Sequence, residues 1–171
     1  MTSSLLPDDI VALAQRVVSE NLKAGRTISV AESCTGGLVT AALTEIAGSS
    51  AVLDRGFVTY SNIAKMEMLG VSADIIDTFG AVSIACVWAM AQGALKRSKA
   101  DVAVAISGVA GPEGGTEHKP VGTVVFALVR REQAENGSDK EPEAEMHHYG
   151  PIGRAEVRRQ AALCALELLL P

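Results

Sequence analysis

A β-type run, Thr27-Ile28-Ser29-Val30, passes directly into Ala31-Glu32-Ser33-Cys34-Thr35-Gly36-Gly37 and then into a helical pattern beginning at Leu38. No other stretch restricts the fold as tightly. A strand that turns through small and glycine residues into a helix is the repeating join of α/β proteins. Backbone N–H groups at such a join point outward from the strand end, and the helix dipole favours negative charge there. Ser33 and Thr35 add hydroxyls at the same point, so the join is also the first candidate for chemistry.

Around it the chain alternates between helical and strand periods. Pro7-Asp8-Asp9 signals a helix start, and Ile10, Val11, Leu13, Ala14, Val17, Val18 and Leu22 recur at helical spacing until Gly25 stops the run. A second helix follows the turn from Leu38 to about Ala47, and a β-type stretch runs from Val52 to Tyr60. Short helices are expected around Ile63–Leu69 and between Ser72 and Phe79. Ser83 then caps a longer helix from Ile84 to about Ser98 that is apolar almost all round. That pattern implies cover on two sides, one by the sheet and the other by a candidate partner subunit, so a homo-oligomer is expected.

Asp101 to Ile106 is a near-continuous apolar run, as expected of a strand buried on both faces. Strands are also expected over 122–129 and 144–149, joined through a polar stretch with Asn136-Gly137 at a hairpin tip, and a last helix begins near Arg154. The architecture that fits is α/β: a three-layer α/β/α single domain over residues 1–171, with a mixed, partly parallel sheet. Ligands bind outside the carboxyl ends of strands in such sheets, which is where Ser33–Gly37, Tyr60–Lys65 and Ser107–Gly115 all fall.

Composition excludes several classes. A net charge of -5 and 4% aromatic residues leave neither the basic face nor the stacking platforms of a nucleic-acid binder. No apolar run is long enough to span a membrane, and the first residues lack a secretion signal. Cys34, Cys86 and Cys164 form no CxxC pattern and cannot all pair, which suits a reduced, cytoplasmic protein. No acid-and-histidine cluster offers metal ligands, so neither a metal nor another cofactor is expected.

Ser33 reads first as a helix cap, and its place between a strand and two glycines also suits a nucleophile near oxyanion-stabilising N–H groups. It is not the GxSxG elbow of α/β-hydrolases. A serine nucleophile needs a base. His118 sits in the second glycine-rich loop, and His147 and His148 read as solvated residues on an edge strand. Lys65 differs, because an apolar helical segment at a strand end would desolvate it, lower its pKa and free its amine to take a proton; the alternative is an ordinary surface lysine. Tyr60 either relays that proton or packs. Neither glycine loop matches GxGxxG or a P-loop, although together they favour an anion such as phosphate or carboxylate. Cys34 reads as a small packed residue, with acidification at the helix start as the alternative.

Several blocks in order resemble the CinA C-terminal domain family: Ala31–Gly37, Gly48-Ser-Ser50, Gly56–Asn62 with Lys65, Gly80-Ala-Val-Ser83, Ser107–Thr116 and Lys119–Thr123. The resemblance extends from about residue 7 to 168. It implies nicotinamide-nucleotide amidase activity, converting nicotinamide mononucleotide and water to nicotinic acid mononucleotide and ammonia in pyridine-nucleotide salvage. It further implies Ser33 as nucleophile, Lys65 as its base and Tyr60 beside them. The substrate walls it implies comprise Thr35, Gly36, Gly37, Ser61, Asn62, Ser107, Gly108, Ala110, Gly111, Gly114 and Arg154. Two departures stand out: Ile152-Gly153-Arg154 lacks the acid that the family carries before Arg154, and Ser107 replaces a common threonine. Longer family members carry an N-terminal domain resembling molybdenum-cofactor-binding enzymes, and this chain reads as the stand-alone form. The family's association with competence and DNA damage supplies the alternative, a non-catalytic nucleotide-binding regulatory module.

Overall fold

The computed structural model describes residues 4–132 and 143–171. Strands β1 (Ile28–Glu32), β2 (Leu53–Val58), β3 (Val102–Gly108), β4 (Thr123–Arg130) and β5 (Glu143–His148) form one sheet in the order β2-β1-β3-β4-β5. The first three are mutually parallel, and β4 and β5 extend the sheet antiparallel. This is the mixed, partly parallel sheet that the alternating pattern predicts. The Asn136-Gly137 turn lies outside the described residues.

Helices α1 (Asp8–Ala24), α2 (Leu38–Thr44) and α6 (Arg154–Leu168) pack together on one face. Helices α3 (Asn62–Leu69), α4 (Ala73–Phe79) and α5 (Ile84–Lys96) cover the other. β3 feeds both cores because its alternate residues point to opposite faces: Val102, Val104 and Ile106 join the α1/α2/α6 side, while Ala103 and Ala105 face α5. The small residues on the second side let α5 lie close to the sheet.

Local chemistry sets the element ends. α1 starts after Pro7 with two acids in its first turn and stops at Gly25, whose φ of 63° is left-handed. Ser61, Ser72 and Ser83 each cap a following helix by accepting a backbone N–H. α2 ends at Thr44 rather than near Ala47, because the chain tightens there: Ile46 N–H bonds the Leu43 carbonyl and a 3-10 turn follows at Ser49–Ala51. Among the described residues, no helix is long and apolar enough to cross a membrane.

The apolar circumference of α5 has a cause within the chain. Its side away from the sheet carries α3 and α4, with Leu69, Val71 and Ile76 buried against it, while Ile84, Trp88 and Ala89 stay partly exposed. The α3–α5 approach is close. A Cβ built on Gly93 would lie 2.0 Å from the Leu69 carbonyl oxygen, so glycine is the residue that lets these helices meet. Gly93→Ala should lower stability by about 1–3 kcal/mol through overpacking, outweighing the roughly 1 kcal/mol that alanine gains in helix propensity. A urea unfolding midpoint at or above that of wild type would contradict the close approach.

Candidate active site

The carboxyl ends of β1, β2 and β3 lie side by side, and the loops leaving them enclose a cleft of about 270 Å³. Its floor is a buried pair. Lys65 is 1% exposed, and its Nζ lies 3.0 Å from Ser33 Oγ, 2.8 Å from the Thr59 carbonyl oxygen and 3.3 Å from that of Tyr60. Burial lowers the Lys65 pKa below its ordinary 10.5, the nearby Cys86 and Cys34 thiols opposing that shift. A neutral amine has two N–H bonds and one lone pair. Nζ donates to the two carbonyls and to Ser33 Oγ; in the neutral form the two N–H bonds can stay on the carbonyls while the lone pair faces the Ser33 hydroxyl.

The turn that carries Ser33 is fastened from several directions. Ser33 N–H donates to the Ile106 carbonyl at 3.0 Å, tying the turn to β3. Glu32, fully buried at the end of β1, accepts from Val39 N–H at 2.9 Å, Thr40 N–H at 3.0 Å and Thr40 Oγ1 at 2.7 Å. It therefore caps α2 from seven and eight residues upstream. From α6, Arg158 donates to the Cys34 carbonyl at 3.2 Å and the Thr35 carbonyl at 3.0 Å. Gly36 and Gly37 take φ values of 61° and 97°, which let the chain double back between these anchors.

Glu32 changes what the helix start can do. The first free N–H groups of α2 are occupied by its carboxylate, so the turn is not an anion nest for a substrate phosphate. Cys34 and Thr35 N–H groups make no bond to another residue's backbone carbonyl, and they lie beside Ser33. The Cys34 thiol is buried and pushed up to about 11 by desolvation, so it is a packed residue and not an acidified one.

Ser33, Tyr60, Asn62, Lys65, Ser107, Gly108, Ala110, Gly111, Gly114 and Arg154 all line the cleft. Four other expected residues do not. Thr35 is fully buried, Gly36 and Gly37 serve the turn, and Ser61 caps α3 by accepting from Ala64 N–H at 3.0 Å. Tyr60 is placed differently from a proton relay: its carbonyl accepts from Lys65, while its hydroxyl accepts from Arg154 at 2.9 Å at the cleft mouth. Arg154 also donates to the Gly111 carbonyl at 2.8 Å, bridging the Tyr60 wall and the second glycine loop. Glu32 and Arg158 were not legible as site supports, since both bind backbone atoms that leave no trace in residue spacing.

The metal expectation needs correction on one point. Among the described residues Glu145, His147 and Cys164 do converge, although away from this cleft. His147 is not a solvated surface residue either, being half-buried between Phe126 and Tyr149, whereas His148 is exposed as expected.

A model of the CinA C-terminal domain matches residues 10–171. A protein of Escherichia coli K12 named nicotinamide-nucleotide amidohydrolase PncC is 46% identical over 169 residues, covering 94% of this chain and 93% of its own length. A CinA-like protein of Shewanella sediminis is 49% identical over 129 residues, and that match spans 75% of this chain but 30% of the relative. Among solved structures, competence/damage inducible protein CihA from Agrobacterium tumefaciens superposes with a TM-score of 0.90 at 50% identity, covering 98% of this chain and 97% of that one.

The buried amine has a thermodynamic signature. Unfolding returns the Lys65 pKa to 10.5, so between the lowered value and 10.5 the unfolded chain binds the extra proton and this residue's contribution to stability rises with pH. Parallel urea titrations should show wild type gaining on Lys65→Met as the pH is raised from neutral toward 10.5. Profiles that stay parallel would mean that the amine remains charged in the fold.

Proposed function

The chain belongs to the CinA C-terminal domain family, and from that membership together with the buried Ser33–Lys65 pair we propose that it deamidates nicotinamide mononucleotide to nicotinic acid mononucleotide and ammonia. The amidohydrolase name of the Escherichia coli relative supports the reaction class and the substrate. The observation that carries the mechanism is the 3.0 Å contact between Ser33 Oγ and a lysine amine whose other partners are carbonyls.

In the first half-reaction Lys65 Nζ takes the Ser33 hydroxyl proton as Oγ attacks the carboxamide carbon. The carbonyl oxygen becomes an oxyanion, for which the backbone N–H of Cys34, the residue after the nucleophile, is the proposed donor. The protonated Lys65 gives its proton to the amide nitrogen, the C–N bond breaks, and ammonia leaves an acyl-Ser33 ester. Water then attacks that ester while Lys65 accepts its proton, and the returned proton restores the Ser33 hydroxyl as the acid is released. The positively charged pyridine ring withdraws electrons from the carboxamide and favours attack.

Arg154 and the loop from Gly108 to Gly115 are the proposed seat of the 5′-phosphate. The guanidinium is pinned at the cleft mouth by Gly111 and Tyr60, and the Arg158 guanidinium lies nearby on the same helix. The three cysteines, all buried and unpaired, suit the reducing cytoplasm, where we place this step of pyridine-nucleotide salvage. Self-association is proposed on the exposed apolar side chains Val58, Tyr60, Ile63 and Phe79, which are 46%, 60%, 61% and 53% exposed.

Ser33→Ala and Lys65→Ala should each reduce ammonia release from nicotinamide mononucleotide by at least about a hundredfold while the far-ultraviolet dichroism stays native. Full activity in Ser33→Ala would remove the covalent route, and no ammonia from wild type would favour the regulatory-module alternative. Arg154→Ala should raise KM about tenfold or more, with a smaller effect on kcat, because one charge-assisted hydrogen bond is worth about 1.5–3 kcal/mol. The same variant assayed on nicotinamide riboside, which lacks the phosphate, should match wild type; an equal defect there would move the phosphate elsewhere.

A further inference from the structure

The β5–α6 side of the molecule holds a group of side chains that the reaction above does not use. Glu145 and His147 stand two residues apart on β5, opposite Phe126 and Val124 of β4, and therefore share one face of the sheet. That face is covered by α6, which presents Cys164 to them. Cys164 Sγ lies 3.4 Å from Glu145 Oε1 and 3.9 Å from His147 Nε2, while His147 Nε2 lies 3.2 Å from Glu145 Oε2. The imidazole is held by Phe126 edge-on at 5.5 Å and by Tyr149 stacked at 5.6 Å.

Two chemistries use a thiol, an imidazole and a carboxylate. In a nucleophilic triad the carboxylate engages one ring nitrogen and the thiol meets the other, so that the ring conducts a proton between them. Here both neighbours meet Nε2, and no such path exists. Donor atoms gathered around a common point are the arrangement of a cation site. With ordinary zinc bond lengths, the edges of a tetrahedron joining sulfur, nitrogen and oxygen ligands are about 3.4–3.6 Å. The thiol and imidazole stand 3.9 Å apart and the Glu145 carboxylate meets each through a different oxygen, at 3.4 and 3.2 Å, so a rotation that brings one oxygen between them would complete the geometry.

We propose that Glu145, His147 and Cys164 form a binding site for a divalent cation of the zinc type, with a fourth position open to the adjoining cavity. The mixed sulfur, nitrogen and oxygen set suits a borderline metal such as Zn²⁺ and is unsuited to Mg²⁺ or Ca²⁺, which take oxygen ligands. The cavity of about 560 Å³ is lined as well by Asp9, Arg16, Gln160 and Glu167, and it shares no lining residue with the Ser33 cleft. Binding exchanges the thiol proton for the metal: the proton leaves to solvent, and thiolate and carboxylate together balance the two positive charges. Burial and Glu145 hold the free thiol up at about 12, so this exchange occurs against the cation and not before it.

The full chain, stripped with a chelator, should bind one equivalent of Zn²⁺ in competition with a chromophoric chelator. Co²⁺ in its place should give near-ultraviolet thiolate-to-cobalt absorption. Cys164→Ser should abolish that absorption and, like His147→Gln, weaken Zn²⁺ binding at least tenfold, whereas Cys86→Ala should leave both unchanged. Zinc should also shield Cys164 from alkylation, read peptide by peptide in the mass spectrometer. That shielding supplies the test within wild-type protein should either variant fold poorly. Absence of stoichiometric binding, absorption retained in Cys164→Ser, or alkylation of Cys164 indifferent to zinc would each overturn the site. None of these readouts depends on ammonia release, so the outcome is independent of the proposed amidase reaction.

Discussion

The burial of a lysine amine without a carboxylate partner is the constraint around which this molecule is arranged. Lys65 is almost fully enclosed, and its contacts are two backbone carbonyls and one hydroxyl. A charged ammonium in that position would be poorly compensated, so the enclosure that desolvates the amine lowers its pKa and favours the neutral form that the proposed mechanism needs. Histidine needs no such treatment to act near neutral pH, whereas lysine does. The apolar packing of α3 against α5 therefore does more than stabilise the fold, because it also encloses the Lys65 stem.

The proposed base and nucleophile work together only at a fixed distance, and Ser33 is held in place by residues outside the Ser33–Lys65 contact itself. Glu32 anchors the start of α2, Arg158 anchors the carbonyls of Cys34 and Thr35, and the Ile106 carbonyl anchors the Ser33 amide. These three attachments come from the strand before the turn, the last helix and the central strand. The turn is thus positioned from β1, β3 and α6, while Lys65 approaches from the opposite layer. The reacting pair sits where the two layers meet over the end of β1.

Much of this was legible in the sequence, and the boundary follows the range of the interactions. Period and capping are local, so the element order, Ser61, Ser72 and Ser83 as caps and the placement of three loops at one sheet edge could all be read from spacing. Lys65 was legible for the same reason, as a cation out of place in an apolar helical segment. Glu32 was not, since its partners are the backbone amides of Val39 and Thr40, which every sequence possesses. An internal carboxylate thus occupies the helix start, where the glycines and the helix dipole alone point to an external anion. Tyr60 was named for its proximity to Lys65 in the chain, but its side chain extends toward Arg154, 94 residues away.

The same limit of range explains the cluster on β5 and α6. Glu145 and His147 share a strand face by simple alternation, yet Cys164 joins them only because α6 turns back across that face. α6 therefore serves both ends of the molecule. Arg154 in its first turn reaches the cleft and Arg158 the turn that carries Ser33, and Cys164, ten residues beyond Arg154 and so about 15 Å along the axis, reaches β5. The axial position of α6 is shared by the two regions, because a rigid helix cannot slide at one end and stay fixed at the other. Any group that bound Cys164 to β5 would thereby also fix the height at which Arg154 stands over the Ser33–Lys65 pair.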